Sequence, residues 1–367
     1  MRLLFVSTHT DQITGYSKVV YNLLQELVKV EGLQIFHFGF QKGNYERPKL
    51  PIIQFDAALN ENPKEQGFGF NCFADYLKTV SPDVVFIYND PLVVSRFLEL
   101  IPKTYKGKIF VYLDQVYKYA DFSKVNDVAD KVFVFSNAWK LPIPNGSKTT
   151  QHILLHAPDT SVKNLPETEI SEHKKKLKIE GKEVFLNINR NSSRKRLDLT
   201  LQAFAMYLKE NPKAHLILVT GGKGHYHIPA ICMLEKIPAE AISFIDTDLN
   251  RLSDEFINIM YNISDYGINT SNGEGFGLST LEHAKLGKPQ LVMDIGSYRE
   301  FLTDEDSVLL KPTIRNYITP VGLGMFEETT TVENVFEGMK QMKTKSSPVV
   351  KLTWQSITQE LKSMFQT

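Results

Sequence analysis

The sequence predicts an α/β protein with two parallel sheets, and three observations carry that expectation. Short runs rich in Val, Ile and Phe recur between stretches of helical periodicity, nearly every run ends in a polar residue, and a charged segment without strand pattern divides the runs into two sets. A chain of 367 residues with 42% hydrophobic content also suits two packed cores better than one.

The first set comprises LLFVS (3–7), VVFIYND (84–90), KIFVYLD (108–114) and KVFVFSN (131–137). The second comprises VFLNINR (184–190), HLILVTG (215–221), ISFIDT (242–247), YGINTS (266–271) and PQLVMD (289–294). Their polar terminators include Ser7, Asp90, Asp114, Ser136, Arg190, Thr220, Asp246 and Ser271, which fall where open parallel sheets present groups to ligands. Between the sets, residues 156–183 hold two prolines and dense charge, which marks a connection. The expected domains are 1–160 and 161–350. A terminal segment, 351–367, follows, with Trp354, Ile357, Leu361 and Phe365 at i, i+3, i+7 and i+11 along one amphipathic helix face.

Composition excludes several classes. Lys plus Arg and Asp plus Glu both total 42, so the chain carries no surplus of positive charge for a nucleic acid. The two cysteines, Cys72 and Cys232, are far apart and outside any CxxC or Cys/His grouping, which supports neither a disulfide framework nor zinc and fits a reducing, cytoplasmic setting. No stretch reaches the roughly 18 apolar residues of a membrane span. The run Lys174–Lys176 offers a peripheral contact to an acidic membrane, although a solvated helix face is the favoured reading.

The stretch NGEGFGLSTLEHAKLGKP (272–289) follows a strand, turns on glycines and enters a helix closed by Gly287 and Pro289. Backbone N–H groups at a helix start lack intrahelical partners and carry partial positive charge, so the amides of Gly277 and Leu278 are expected to face a phosphate. Glu282 has two readings: a ligand contact, or a capping box formed with Ser279 three residues earlier. Glu274 has no such local explanation and is expected either to bind the positive field of the turn's amides itself or, the favoured reading, to face a ligand hydroxyl. In NINRNSSRKRLDLTLQAF, Arg190 at a strand end and Lys195 five residues on are two cations for the same crevice, whereas Arg194 and Arg196 read as a solvated basic turn.

Arg190 with Lys195, and ISDYGINTSNGEGFGLSTLEHAKLGKPQLV with its E-x7-E spacing, resemble the retaining glycosyltransferases of family 4, which have the GT-B fold. The likeness covers nearly the whole chain, since STHTDQITGYSKVVYNLLQEL resembles that family's amino-terminal loop and DVADKVFVFSNAWK one of its strands. The resemblance implies two Rossmann-like domains with parallel sheets facing across a cleft, an acceptor-side domain 1–160 and a nucleotide-sugar domain 161–350. It also implies that the last helix crosses back to the first domain. It assigns Glu274 to the donor sugar's hydroxyls, Glu282 to the ribose, and Arg190, Lys195 and the Gly277 and Leu278 amides to the diphosphate. Phe276, Thr247 and Gly222 are implied on the donor side, the last two beside the base; Gly15, on the acceptor-side domain, is implied to touch the phosphate or sugar, and Asp114 is taken as an acceptor-side residue. The implied activity is transfer of a hexosyl group from a GDP- or UDP-linked donor to a carbohydrate or lipid-linked acceptor hydroxyl, with no metal and no cofactor beyond the donor substrate.

The chain departs from that pattern at Asp114-Gln115, where many members carry histidine, and at the first loop, where Gly15 stands without a second glycine. Asp114 is readable as a hydroxyl anchor, a base or a helix cap. His225 and His227 lack a third metal ligand nearby. GFGF (67–70) lies outside a strand-to-helix turn, and GGKGHYH lacks P-loop spacing. A different nucleotide-sugar enzyme, such as an epimerase or phosphorylase, and a non-catalytic nucleotide-sugar binder remain as alternatives.

Overall fold

A computed structural model describes residues 1–59, 61, 66–117, 122–249, 252–318 and 325–365. The chain divides into two compact units, residues 1–157 together with 352–367, and residues 158–351.

The first unit holds, among the described residues, a parallel sheet of β1 (Arg2–Thr8), β2 (Gln34–Phe40), β3 (Ile53–Asp56), β4 (Val84–Asn89), β5 (Lys108–Leu113), β6 (Lys131–Val134) and β7 (Thr150–Ile153) in the order β3-β2-β1-β4-β5-β6-β7. Leu3, Leu4, Phe5 and Val6 are all fully buried, as a strand covered on both faces requires. Strands β2, β3 and β7 lie outside the apolar runs of the sequence because polar residues interrupt them. In β2, His37 is fully buried, yet its Nε2 lies 3.0 Å from Ser7 Oγ and its Nδ1 3.1 Å from the Gln54 amide, so its polar atoms are satisfied inside the sheet.

The second unit repeats the arrangement. β8 (Glu183–Ile188), β9 (Ala214–Thr220), β10 (Ile242–Asp246), β11 (Tyr266–Asn269), β12 (Gln290–Met293) and β13 (Val308–Leu310) run parallel in the order β10-β9-β8-β11-β12-β13. Side-chain alternation splits its core in two. Phe185, Leu216 and Leu218 join one cluster with Leu197, Leu201 and Phe204, while Val184, Leu186, Ile217 and Val219 join another with Met260, Tyr261 and Ile263. Each such buried side chain contributes about 1.5–3 kcal/mol. An antiparallel hairpin, β14 (Ile314–Ile318) and β15 (Met325–Thr329), follows β13.

The terminal segment is two helical turns, Trp354–Ile357 and Gln359–Ser363, where periodicity alone predicts one helix. The break falls at buried Thr358, whose Oγ1 donates to the Trp354 carbonyl at 2.6 Å, a local side-chain bond that competes with helical geometry. Within the first unit, Trp354 lies 5.9 Å from the His156 ring, Phe365 6.0 Å from Phe110, and Lys362 donates to Glu26 at 2.5 Å.

Candidate functional site

In both sheets the strand order reverses once, between β1 and β4 and between β8 and β11, and loops leaving the carboxyl ends of such neighbours diverge to leave a crevice. Arg190 leaves β8 and the glycine-rich loop leaves β11, so the second unit brings both sequence-derived segments to its switch point. The two segments are stitched together: Asn272 N donates to Arg194 O at 2.8 Å, Ser271 Oγ to Arg194 O at 3.0 Å, and Thr270 Oγ1 to Arg196 O at 2.7 Å.

At the centre is Glu274, which is buried. One carboxylate oxygen accepts from Lys195 Nζ and, at 3.0 Å, from Asn269 Nδ2; the other accepts from Arg194 Nη1 at 3.3 Å, and the same guanidinium nitrogen donates to Gly273 O. Burial pushes the carboxyl up, but Lys195 and Arg194 more than reverse that and leave it at about 2. Burial lowers the Lys195 ammonium to about 8, with Glu274 opposing the fall and Arg194 and Arg190 adding to it. Both members are therefore charged at neutral pH. Arg190 is exposed, and among the described residues its guanidinium makes no hydrogen bond or ion pair.

This geometry corrects two sequence readings. Arg194 is not a solvated turn residue: it packs against Glu274 and the glycine loop, whereas Arg196 turns away to pair with Asp198, Nη2 to Oδ2 at 2.9 Å. Lys195 does not stand open toward a ligand but is held by Glu274.

The capping box is also absent. The helix Leu278–Lys285 starts behind Gly277, which has φ +83° and supplies no side-chain cap, so Ser279 and Glu282 do not flank its first residue. Glu282 instead is buried one turn in, where Tyr261 Oη donates to its Oε2 at 2.8 Å. A Cβ on Gly277 would collide with the Tyr298 ring. Gly296 is equally constrained, at φ +62° with a Cβ position 2.5 Å from the Glu274 carbonyl oxygen. Phe276 is buried and stacks on Phe301 at 5.6 Å. Leu278 is half-buried at the helix start, beside the anion-attracting amides.

Gly222 and Thr247 sit at the next strand ends outward. Gly222 N donates to Asp246 Oδ1 at 2.7 Å and exposed Thr247 donates its amide to Thr220 O at 3.0 Å. Asn191 binds this loop to the basic segment, its Nδ2 donating to Gly221 O at 2.9 Å and Tyr226 O at 2.7 Å. His227 caps the helix Ile228–Leu234, and among the described residues no cluster of three His, Cys, Asp or Glu could hold a metal.

In the first unit Gly15 opens the helix Gly15–Leu27, exposed behind Thr14, whose Oγ1 accepts from Ser17 N at 3.1 Å. Asp114 follows β5, half-buried, its amide donating to Asn89 O at 3.0 Å; the next helix is preceded by Phe122, so Asp114 is not its cap. Sequence reasoning missed Asn269, Tyr261 and Tyr298, although Asn269, at the end of β11, carries the strand-end signal that marks Arg190.

Residues 169–317 match the family described as Glycosyl transferases group 1. That match identifies the second unit as a glycosyltransferase domain, an enzyme of the glycosyl-transferring class. No curated protein matches the chain. Solved structures similar to the whole chain include sucrose-phosphate synthase from Thermosynechococcus elongatus, 14% identical, covering 100% of this chain and 94% of the other with a TM-score of 0.67. A glycosyltransferase from Rickettsia africae is 15% identical over 99% and 92%, TM-score 0.66. HepE from Anabaena, in complex with UDP and glucose, is 13% identical over 99% and 95%, TM-score 0.64. The shared fold is the pair of Rossmann-like domains of the GT-B type.

Proposed function

We propose that the chain is a retaining, metal-independent glycosyltransferase of family 4 that moves a sugar from a nucleoside diphosphate, UDP- or GDP-linked, to a hydroxyl of a carbohydrate or lipid-linked acceptor in the cytoplasm. One observation carries the reading: around buried Glu274 stand Lys195, Arg194 and, nearby, Arg190, at the switch point of the sheet and beside a helix start. Three cations against one carboxylate leave a surplus of two positive charges, which a sugar-linked diphosphate neutralises.

Breaking the bond between sugar and diphosphate builds negative charge on the departing oxygen. Arg190, Lys195 and the amides of Gly277 and Leu278 oppose that charge from fixed positions, and donors preorganised in this way are worth about 3 kcal/mol each. Glu274 takes the sugar hydroxyls, Glu282 the ribose. Gly222 and Thr247 lie beside the base, and Gly15 and Asp114 serve the acceptor. The structure of HepE with UDP-glucose supports a uridine donor. Among the described residues no helix is long and apolar enough to cross a membrane.

Thermal-shift titration with UDP, GDP and ADP tests the donor site, because a ligand at a hundred times its dissociation constant stabilises by about 2.7 kcal/mol. The matching sugar nucleotide should then be consumed in the presence of acceptor and with EDTA added. Binding without consumption, or consumption that ignores the acceptor, would overturn the transferase reading.

A further inference from the structure

We propose that the β14–β15 hairpin is a positioning arm of the donor site and acts through Glu327; this rests on the donor-binding reading above. The register sets Asn316 opposite Glu327 and Arg315 opposite Glu328. Opposed residues share a face and successive ones alternate, so Ile314, Asn316, Glu327 and Thr329 lie on one side and Arg315, Tyr317, Phe326 and Glu328 on the other. The second side is internally satisfied: Arg315 Nη2 donates to Glu328 Oε1 at 2.7 Å, and the guanidinium lies 4.2 Å from the Phe326 ring centre.

The first side grips both segments of the site. Thr329 Oγ1 accepts from Arg196 Nη1 at 3.1 Å, and Glu327 Oε2 accepts from Asn272 Nδ2 at 2.7 Å. Arg196 directly follows Lys195, and Asn272 precedes Gly273 and Glu274. Two side chains on one strand, two residues apart, therefore tie the cation-bearing turn and the carboxylate-bearing loop to a common support. Asn272 is buried and among the described residues its Oδ1 has no partner, so the bond to Glu327 is what orients its side chain. The family match ends at residue 317, so β15, which carries both tethers, lies beyond the matched segment.

Losing the Glu327 tether frees the loop that aims Glu274 but leaves the helix amides fixed by Gly277 against Tyr298. Sugar recognition should suffer more than diphosphate recognition. The test is calorimetry of the wild-type chain, Glu327→Ala and Glu327→Gln with UDP, GDP and their glucose-linked forms. Glu327→Ala should weaken the sugar nucleotide about two- to twelvefold, the worth of one hydrogen bond. It should weaken the bare diphosphate less, and the unfolding midpoint should fall modestly, because the buried Asn272 amide loses its acceptor. Glu327→Gln, whose amide oxygen still accepts from Asn272, should restore wild-type affinity. Equal sugar-nucleotide affinity in Glu327→Ala and wild type, equal losses in Ala and Gln, or parallel loss of both ligands would each overturn the proposal. Absence of binding by the wild-type chain itself would instead remove the donor reading, and the proposal with it.

Discussion

Lys195 Nζ and the Glu274 carboxylate, 79 residues apart in the chain, form an ion pair whose side chains are 8% and 9% exposed. Each is the other's principal counter-charge. On the proposed function, a diphosphate reaching Lys195 competes with Glu274, and the release of Glu274 leaves it free for sugar hydroxyls.

Glu274→Gln removes the competitor. Bare nucleoside diphosphate should bind about ten- to 150-fold tighter, since a hydrogen bond to a charged group is worth about 1.5–3 kcal/mol, while turnover of the sugar nucleotide falls. Calorimetry beside steady-state kinetics checks both; weaker diphosphate binding in this variant would refute the competition.

The pH profile follows from the Lys195 ammonium, which loses its proton at about 8 instead of the ordinary 10.5. Above that point the free enzyme loses the charge that the proposed function assigns to diphosphate, so kcat/KM should fall with an alkaline limb near 8. Bound diphosphate favours the charged form, so the limb in kcat should lie at higher pH. Lys195→Arg, always charged, should abolish the limb in kcat/KM; a limb that persists there belongs to another group.

Arg190→Ala should lower turnover about a hundredfold to a thousandfold. Its guanidinium is exposed and unengaged among the described residues, so circular dichroism and the unfolding midpoint should match the wild type. Unchanged turnover removes Arg190 from the site.

Tyr261→Phe leaves the buried Glu282 carboxylate short of the 2.8 Å bond from Tyr261 Oη. Stability should drop by about 1–3 kcal/mol, and ribose-dependent affinity should drop with it. Denaturant titration and nucleotide binding separate the two effects.

Gly277→Ala forces a left-handed φ of +83° on a residue with a Cβ and drives that carbon into Tyr298. The conformational part alone costs about 1–2 kcal/mol, and diphosphate affinity should fall because the helix start moves. Pairing it with Tyr298→Leu should recover part of the stability.

The central strands were legible because a strand buried on both faces has to be a continuous apolar run, as Leu3 to Val6 and Val184 to Leu186 are. β7 (TQHI) and β13 (VLL) are too polar or too short to stand out, and the β14–β15 hairpin alternates charge with apolar side chains. Arg190, Lys195 and Glu274 were readable since each lies within a few residues of a strand end. Arg194 was not, because its direction depends on the tight turn Ser193–Lys195, and no local pattern says which of three consecutive cations turns inward. The capping box failed for a related reason: Gly277 ends the loop one residue before the helix, which leaves Ser279 inside it. Tyr261 and Tyr298 reach their partners only through tertiary packing.

The assignment of residues 352–367 to the first unit makes residues 158–351 an insertion within it. The halves are thus linked covalently at two places, near 157 and near 351. A protease nick at one junction would leave them joined through the other. The contiguous inner half is open to cloning as a single excised piece, whereas the outer half can be made alone only by splicing 157 to 352 through an engineered bridge.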